Sequence, residues 1–344
     1  AAAYCLKNNL QPSDLVKPEA IKSFQQELLL EGQYIPNINL EIQNLAHQAT
    51  ITSSSEFKLG NLYFNGEWQK LEYSTAQLIP VNPADILNVT LQFQANEDTV
   101  IKIQLRVSDK PQNYTPENIL ESQDIIVKAG FNEVTVNFNE TVSQEQYAFI
   151  CIERNELVAV KTSKMFLTGT MMVMNRFNKA VATSGVQSPP DGIGIDTFEF
   201  WCPSRRPAPQ NLGMNIYPAL EPYKSENIIN GALRPTTKAN AWVADLNDTK
   251  PYLQIKWQEK IEIKEMKLFF DSDFDHPLES TLRVHPERIV PHTVRDYYLV
   301  DGTKNVIYKR KGNYQTINHI IFDKSINTDS ITIHLAHPSE NVPA

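Results

Sequence analysis

The stretch Asn88-Val-Thr-Leu-Gln-Phe-Gln-Ala95 alternates apolar and polar side chains along its whole length. Successive side chains of a β-strand point to opposite faces, so this period of two predicts a strand with one buried and one solvated face. The same alternation recurs downstream, with apolar side chains at Ile101, Ile103, Leu105 and Val107, and then at Val134, Val136 and Phe138. The pattern therefore predicts consecutive antiparallel strands joined by turns such as the one at Gly130.

Strand-like runs fill residues 56–175 and again residues 250–335. A chain of 344 residues is also too long for one ordinary sandwich. We therefore predict a mainly β protein with two tandem antiparallel β-sandwiches of jelly-roll type. The first is expected over residues 46–177 and the second over residues 227–344.

Residues 1–45 follow a different pattern, because apolar side chains at Ile21, Phe24 and Leu28 recur at helical spacing and Gly32 closes the run. This predicts a short helical N-terminal segment. Two interpretations stay open: the segment is the tail of a domain that precedes residue 1, or it is a helical cap on the first sandwich.

Residues 178–226 form a Pro-rich passage, and because proline cannot donate a ladder hydrogen bond, we expect no central strand there. Four aromatic residues make it too apolar for a flexible linker. We predict an ordered connector that buries these aromatics against a sandwich: Phe198, Phe200, Trp201 and Tyr217.

Charge and composition exclude several classes of protein. A net charge of -8 and an isoelectric point near 5.5 argue against nucleic-acid binding. No stretch approaches the roughly 20 apolar residues that cross a bilayer, so no membrane span is expected. The cysteines Cys5, Cys151 and Cys202 are widely spaced and odd in number, which favours neither a metal site nor a disulfide framework. Cys151 is predicted to be a buried core residue.

The last third of the chain resembles the discoidin, or coagulation-factor type C, group of galactose-binding-like β-sandwiches. The resemblance rests on Asn227-Ile-Ile-Asn-Gly231, Ala241-Trp-Val243, Pro251-Tyr-Leu-Gln-Ile-Lys-Trp257 and Ile263-Lys-Glu-Met-Lys-Leu-Phe-Phe-Asp271. It implies a sandwich that stops before its usual last strand. Where many members have Asp-Leu-Gly, this chain has Ile255-Lys-Trp257, so no ligand role is carried over to that point.

A second resemblance is to the C-terminal region of a bacterial FAD-dependent oxidoreductase family. It is carried by Phe270-Asp-Ser-Asp-Phe-Asp-His-Pro277, His285-Pro-Glu-Arg288, Val294-Arg-Asp-Tyr297, and, near the start, Ala1-Ala-Ala-Tyr-Cys-Leu-Lys-Asn-Asn9 and Gln33-Tyr-Ile-Pro36. It implies FAD in an upstream flavin domain, no cofactor in this chain, and a periplasmic or extracellular bacterial location. This chain would then be a non-catalytic accessory region that packs on the flavin domain.

One loop region supplies most of the candidate site residues. Asp271, Asp273 and Asp275 alternate like the first ligands of a calcium loop, but His276 replaces the turn glycine, which excludes an EF-hand. An irregular calcium site and a solvated loop are the alternatives. The resemblance to the oxidoreductase family implies that five side chains face the flavin domain and could contact substrate: Asp273, Asp275, His276, His285 and Arg288. The alternative is that they form an ordinary polar interface between domains. No residue is predicted to be catalytic.

Sugar recognition is the competing hypothesis, with Trp242 as the aromatic platform and Arg234 and Asn240 as hydrogen-bonding partners. A core position is the alternative for Trp242, and Trp68, followed by Leu71 and Tyr73, is also predicted to be core. Two functions therefore compete. The favoured one is the accessory region of an oxidoreductase, and the other is a free-standing pair of carbohydrate-binding or adhesion modules.

Overall fold

The computed structural model describes residues 23, 45–82, 87–108, 115–143, 147–175, 201–203, 211–229, 239–270 and 293–344. The predicted helical segment over residues 1–45 lies almost entirely outside these ranges, so it stays a prediction. Among the described residues, no helix is long and apolar enough to cross a membrane.

The described residues are built mainly from β-strands, and every strand pairing is antiparallel. The prediction of a mainly β, antiparallel protein is confirmed. The strands are β1 (Thr50–Ser53), β2 (Leu59–Asn61), β3 (Trp68–Leu71), β4 (Thr75–Pro80), β5 (Asn88–Ala95), β6 (Thr99–Ser108), β7 (Asn118–Val127), β8 (Gly130–Asn137), β9 (Tyr147–Ile152), β10 (Asn155–Ser163), β11 (Met171–Asn175), β12 (Trp201–Pro203), β13 (Asn211–Leu212), β14 (Met214–Leu220), β15 (Tyr252–Phe269), β16 (Tyr297–Asp301), β17 (Val306–Arg310) and β18 (Ile317–Leu335). Two short 3-10 helices accompany them, Ala46–Gln48 and Ser225–Ile229.

The chain divides into two compact units. The middle unit comprises the described residues within Leu59–Met165 and Gly169–Leu220, and the C-terminal unit comprises those within Ala1–Lys58, Phe166–Thr168 and Glu221–Ala344. The sequence prediction placed its first boundary at residue 46, whereas the structure assigns the described residues up to Lys58 to the C-terminal unit.

The middle unit contains two sheets, as expected for a β-sandwich. The seven-stranded sheet has the order β13-β10-β5-β14-β2, with β3 on β10 and β8 on β5, and the six-stranded sheet has the order β12-β11-β4-β9-β6-β7. The alternation that predicted β5 is observed, because Val89, Leu91, Phe93 and Ala95 are all buried. Strands β4 and β9 are buried at every residue, since both lie inside the six-stranded sheet.

The Pro-rich passage contributes more to the middle unit than the sequence predicted. Strand β14 pairs with both β5 and β2, so the expectation that this segment supplies no central strand is wrong. Pro218 is tolerated because the β5 ladder runs only over Met214–Tyr217, which leaves the proline beyond it. Of the predicted buried aromatics that are described, Trp201 is buried and Tyr217 is 73% exposed.

The described residues of the C-terminal unit form one five-stranded sheet in the order β1-β15-β18-β16-β17. Its centre is the long antiparallel pair β15 and β18, whose register shifts between Lys256 and Ile261 and again between Ile263 and Glu265. Buried side chains from three strands (β15, β16 and β18) and from the loops before β15 and β16 make the core on one face of this sheet: Trp242, Ala244, Leu253, Ile255, Trp257, Ile263, Val294, Tyr297, Leu299, Ile320, Ile331 and Ile333.

Strand β1 joins the C-terminal unit from far away in the sequence. Thr50 pairs with Lys256 and Ser53 with Leu253, so β1 forms one edge of the five-stranded sheet. These residues were predicted to belong to the first sandwich. The predicted burial of Cys151, by contrast, is confirmed, since its side chain is buried.

Candidate functional site

An open groove of about 410 Å³ lies in the middle unit and follows strand β3. We call it the β3 groove. Its lining combines an indole, a phenol, a thioether, an amide, two carboxylates and an ammonium group, from Trp68, Tyr73, Met174, Gln69, Glu67, Glu72 and Lys70. Among the described strands, β3 pairs with β10 alone, so it is an edge strand.

The backbone geometry of β3 places Trp68 at the surface. Residues three apart on a strand point to opposite faces, and the side chain of Leu71 is fully buried while that of Trp68 is 38% exposed. The prediction that Trp68 belongs to the core is therefore wrong. Tyr73 is half-buried. The exposed indole is a large apolar surface next to a groove.

Two neighbours hold the Trp68 ring in place. Lys161 lies opposite Trp68 in the β3–β10 ladder, and its Nζ is 5.0 Å from the indole centroid, within the range of a cation–π contact. The Phe131 ring, itself 59% exposed, meets the indole edge-to-face, with centroids 6.4 Å apart and planes at 81°. These contacts fix the orientation of the indole while leaving part of it open to solvent.

The polar groups of the β3 groove are available to a ligand. Glu67, Lys70 and Glu72 are exposed, and within the part of the chain that the structure describes their side chains form no hydrogen bond or ion pair. The Gln69 amide donates from Nε2 to the Met174 sulfur at 3.3 Å, which orients its carbonyl oxygen. Carboxylates and amides accept and donate the hydrogen bonds that sugar hydroxyls need, and an aromatic face packs on the apolar face of a sugar ring.

Most of the site residues predicted from the sequence lie outside the described residues: Arg234, Asp271, Asp273, Asp275, His276, His285 and Arg288. The calcium site and the flavin-domain interface therefore stay predictions. Within the described ranges, no group of three or more His, Cys, Asp or Glu side chains is placed to hold a metal ion. Asn240 is half-buried and has a left-handed backbone, with φ of 49°.

Trp242 occupies the core position that the sequence analysis weighed against a binding role. Its side chain is 8% exposed and packs in the core of the C-terminal unit. The indole Nε1–H donates to the backbone oxygen of Ser55 at 2.9 Å, which satisfies its polar atom inside the protein. The ring therefore has neither the exposure nor the free donor that a sugar platform needs.

A row of aromatic side chains crosses the five-stranded sheet of the C-terminal unit. His334 on β18 lies between Tyr252 on β15 and Tyr298 on β16 in the ladder. The His334 and Tyr298 rings stack at 4.6 Å with 14° between their planes, and the Tyr252 ring is 5.8 Å from His334. Burial between these rings lowers the pKa of His334 below its usual 6.5.

This lowered pKa predicts a pH dependence of stability in the C-terminal unit. The unfolded chain binds a proton at His334 near pH 6.5, whereas the folded chain binds it only at lower pH. The free energy of unfolding should therefore fall as the pH drops below about 6.5, until the folded state is also protonated. Urea unfolding of the parent and of His334→Gln at stepped pH measures this. A parent and a variant with the same pH slope would contradict the prediction.

Comparisons with known proteins give only weak likenesses. No family model matches the chain, and no curated protein matches it. Among solved structures, a family 32 carbohydrate-binding module from Streptococcus pneumoniae EndoD is 11% identical, with 36% of this chain and 77% of that chain covered at a TM-score of 0.28. A fucolectin from striped bass (Morone saxatilis) serum is 10% identical. The match covers 85% of this chain and 92% of that chain, with a TM-score of 0.24. Saccharomyces cerevisiae allantoicase is 10% identical. The match covers 92% of this chain and 93% of that chain, with a TM-score of 0.23.

At these identities and TM-scores we draw no function from the likenesses. They include a carbohydrate-binding module and a lectin. Neither they nor the described residues support the resemblance to an FAD-dependent oxidoreductase. Function is therefore inferred below from the geometry of the β3 groove.

Proposed function

We propose that this chain is a carbohydrate-binding or adhesion protein that holds a saccharide in the β3 groove of its middle unit. The observation that carries the proposal is the exposed Trp68 indole beside a groove whose carboxylates are unpaired among the described residues. In this proposal the apolar face of one sugar ring packs on the indole. Hydroxyl groups of the sugar donate to Glu72 and accept from Lys70, which shares the indole's face of β3.

The setting of Trp68 favours binding over a purely structural role. A tryptophan that served only to stabilise the fold would gain most by burying its ring, as Trp242 and Trp257 do in the C-terminal unit. The contacts with Lys161 and Phe131 instead fix the indole at the surface. A ring that is already oriented loses little conformational entropy when a ligand packs on it, and this increases affinity.

Replacing Trp68 by alanine should weaken saccharide binding about tenfold to a hundredfold, because the ligand loses an apolar contact surface of roughly 1.5–3 kcal/mol. The ligand is first found by screening the full-length chain on a glycan array. Its dissociation constant is then measured by titration calorimetry for the parent and for Trp68→Ala. Tyr314→Ala is the matched control, because Tyr314 is 59% exposed and is not one of the residues that line the β3 groove.

The proposal fails if glycans bind equally well to the parent and to Trp68→Ala. It also fails if the array finds no glycan ligand. Folding of the variant is checked by the hydrogen exchange of β4 and β9, which should not change because Trp68 is not a core residue.

The accessory-region hypothesis stays a prediction without an observation in its favour. Its test is the intact mass and visible absorption of the protein isolated from its source. Flavin absorbance on a polypeptide much heavier than 39.2 kDa would support it.

Glycan binding in the β3 groove would place the protein where it meets polysaccharides, at or outside the cell surface.

A further inference from the structure

We infer that the saccharide at the β3 groove is one part of a longer, uncharged polysaccharide chain that crosses the outer face of the seven-stranded sheet and packs on Tyr217. This inference rests on the proposed function and names the class and length of its ligand. The surface concerned is formed by the outward side chains of β5, β8 and β14, and we call it the β5 strip. Its members are Asn88, Thr90, Gln92, Gln94, Phe131, Glu133, Thr135, Asn137, Asn215 and Tyr217.

The ladders on either side of β5 place these side chains on one face of the sheet. Residues that lie directly opposite each other in a ladder share a face, and the outward residues of β5 alternate with its buried ones. Phe131 on β8 lies opposite Gln94, and Tyr217 on β14 lies opposite Asn88. Both aromatic side chains are open to solvent, with exposed fractions of 59% and 73%.

The β3 groove is continuous with the β5 strip. Ala159 of β10 lies opposite Gln94, so it belongs to the same face. Lys161 comes two residues later on β10 and shares that face, and Trp68 lies opposite Lys161. The contact between the Trp68 and Phe131 rings, with centroids 6.4 Å apart, then joins the groove to the strip. A saccharide on the exposed part of the indole can therefore extend along the strip without leaving this face.

The length of the strip requires an oligosaccharide. The ladder between β5 and β8 runs from Asn88 to Ala95 without a register shift, so the strip is straight over this distance. The rows of Phe131 and Tyr217 are six residues apart on β5, from Gln94 to Asn88. At about 3.3 Å per residue, this separation is roughly 20 Å. One sugar ring cannot contact both aromatic side chains, so affinity should rise with the length of the saccharide.

The side chains between the two aromatic rings favour an uncharged ligand. Glu133 is the only member of the strip with an ionisable carboxylate, and its Oε2 accepts from Gln92 Nε2 at 3.0 Å. The hydroxyls of Thr90 and Thr135 are 2.9 Å apart and share a hydrogen bond. These contacts orient the amide and the hydroxyls, which keep further donor and acceptor capacity for sugar hydroxyls. An acidic sugar would instead meet the like charge of Glu133, and a basic one would find only a carboxylate that is already hydrogen-bonded.

The test measures affinity against chain length by titration calorimetry on the full-length chain. The probes are cellohexaose, xylohexaose and mannohexaose, each compared with its disaccharide. We expect at least one hexasaccharide to bind, about tenfold or more tightly than its disaccharide, because only the longer chain reaches Tyr217. Tyr217→Ala should weaken binding of the hexasaccharide about tenfold and that of the disaccharide by about twofold at most. Tyr217→Phe keeps the ring and should stay within about threefold of the parent.

Ile126→Ala is the matched control, because Ile126 is 69% exposed on β7 of the six-stranded sheet and lies outside the strip. The inference is overturned if no hexasaccharide binds, if hexasaccharide and disaccharide bind equally, or if Tyr217→Ala binds the hexasaccharide as tightly as the parent. Sedimentation that shows dimers for the parent but not for Tyr217→Ala would also overturn it, since a second copy of the chain would then cover the strip. In each case a loss of glycan binding in Trp68→Ala would still support the proposed function. Glycan binding that is unchanged in Trp68→Ala would instead overturn the proposed function itself.

Discussion

Replacing Gln77 by leucine should lower the free energy of unfolding of the middle unit by about 2–5 kcal/mol, because it leaves buried polar groups without partners. The Gln77 side chain is fully buried on β4, and its Nε2 donates to Asn211 Oδ1 at 2.7 Å. Its Oε1 accepts from the backbone N–H of Leu212 at 2.7 Å. Asn211 and Leu212 form β13 in the other sheet, so this one side chain links the two sheets by hydrogen bonds.

The effect is best measured by the hydrogen exchange of amides in β4 and β9, which reports on the middle unit alone. Gln94→Leu is the control, because Gln94 is an exposed residue of β5 and the same substitution there should change stability by less than about 0.5 kcal/mol. Adding Asn211→Leu to Gln77→Leu should recover no stability, because it removes the unpaired Asn211 oxygen but also the Asn211 Nδ2 donor that bonds the buried Met165 oxygen at 2.9 Å. Equal stability of Gln77→Leu and Gln94→Leu would show that the polar link contributes nothing.

Local alternation was enough to predict several strands of the middle unit. The buried residues of β5 are those with a period of two in the sequence, whereas in β6 the polar residues Gln104, Arg106 and Ser108 that alternate with the apolar ones are buried as well. Strands buried on both faces, such as β4 and β9, lack this alternation. Their place inside the six-stranded sheet depends on which strands pair, and local sequence does not contain that information.

The pairing of β1 shows the same limit on a larger scale. Thr50 pairs with Lys256 more than 200 residues later, and the indole N–H groups of two tryptophans reinforce the contact. Trp257 donates to the Leu45 oxygen at 2.8 Å and Trp242 to the Ser55 oxygen at 2.9 Å. From the sequence alone, the strand at residues 50–53 could equally well pair with the strands that directly follow it in the chain. Only the match with β15 determines which unit it joins.

The candidate site was missed because Trp68, which is followed by Leu71 and Tyr73, was interpreted as a core residue. Trp68 and Leu71 are three residues apart, and on a strand two such side chains lie on opposite faces, so the sequence already indicated that both could not face the same core. The sequence Glu67-Trp-Gln-Lys-Leu-Glu72 also surrounds the indole with polar residues, which is typical of an exposed strand face. The contribution of Lys161 and Phe131 could not be predicted, because it depends on the pairing of β3 with β10 and on the tertiary approach of β8.

Replacing Trp242 by alanine should lower the free energy of unfolding of the C-terminal unit by about 3–5 kcal/mol, the usual cost of truncating a large buried aromatic side chain. The substitution removes packing from the core of the five-stranded sheet and leaves the Ser55 oxygen without its indole donor. Trp242→Phe should cost less, because it keeps most of the ring and loses mainly the hydrogen bond. Denaturant unfolding, with hydrogen exchange of β15 and β18 as the local reporter, measures both effects.

This experiment also separates the two roles that the sequence left open for Trp242. If Trp242 is a core residue, Trp242→Ala should destabilise the C-terminal unit. Glycan affinity at the β3 groove should then stay within about twofold of the parent, since the groove belongs to the middle unit. If Trp242 is instead the platform for a sugar, Trp242→Ala should change the free energy of unfolding by less than about 0.5 kcal/mol and abolish glycan binding. Because the ring is buried and its Nε1–H is already bonded to Ser55, we expect the first result, and the second would return the binding site to the C-terminal unit.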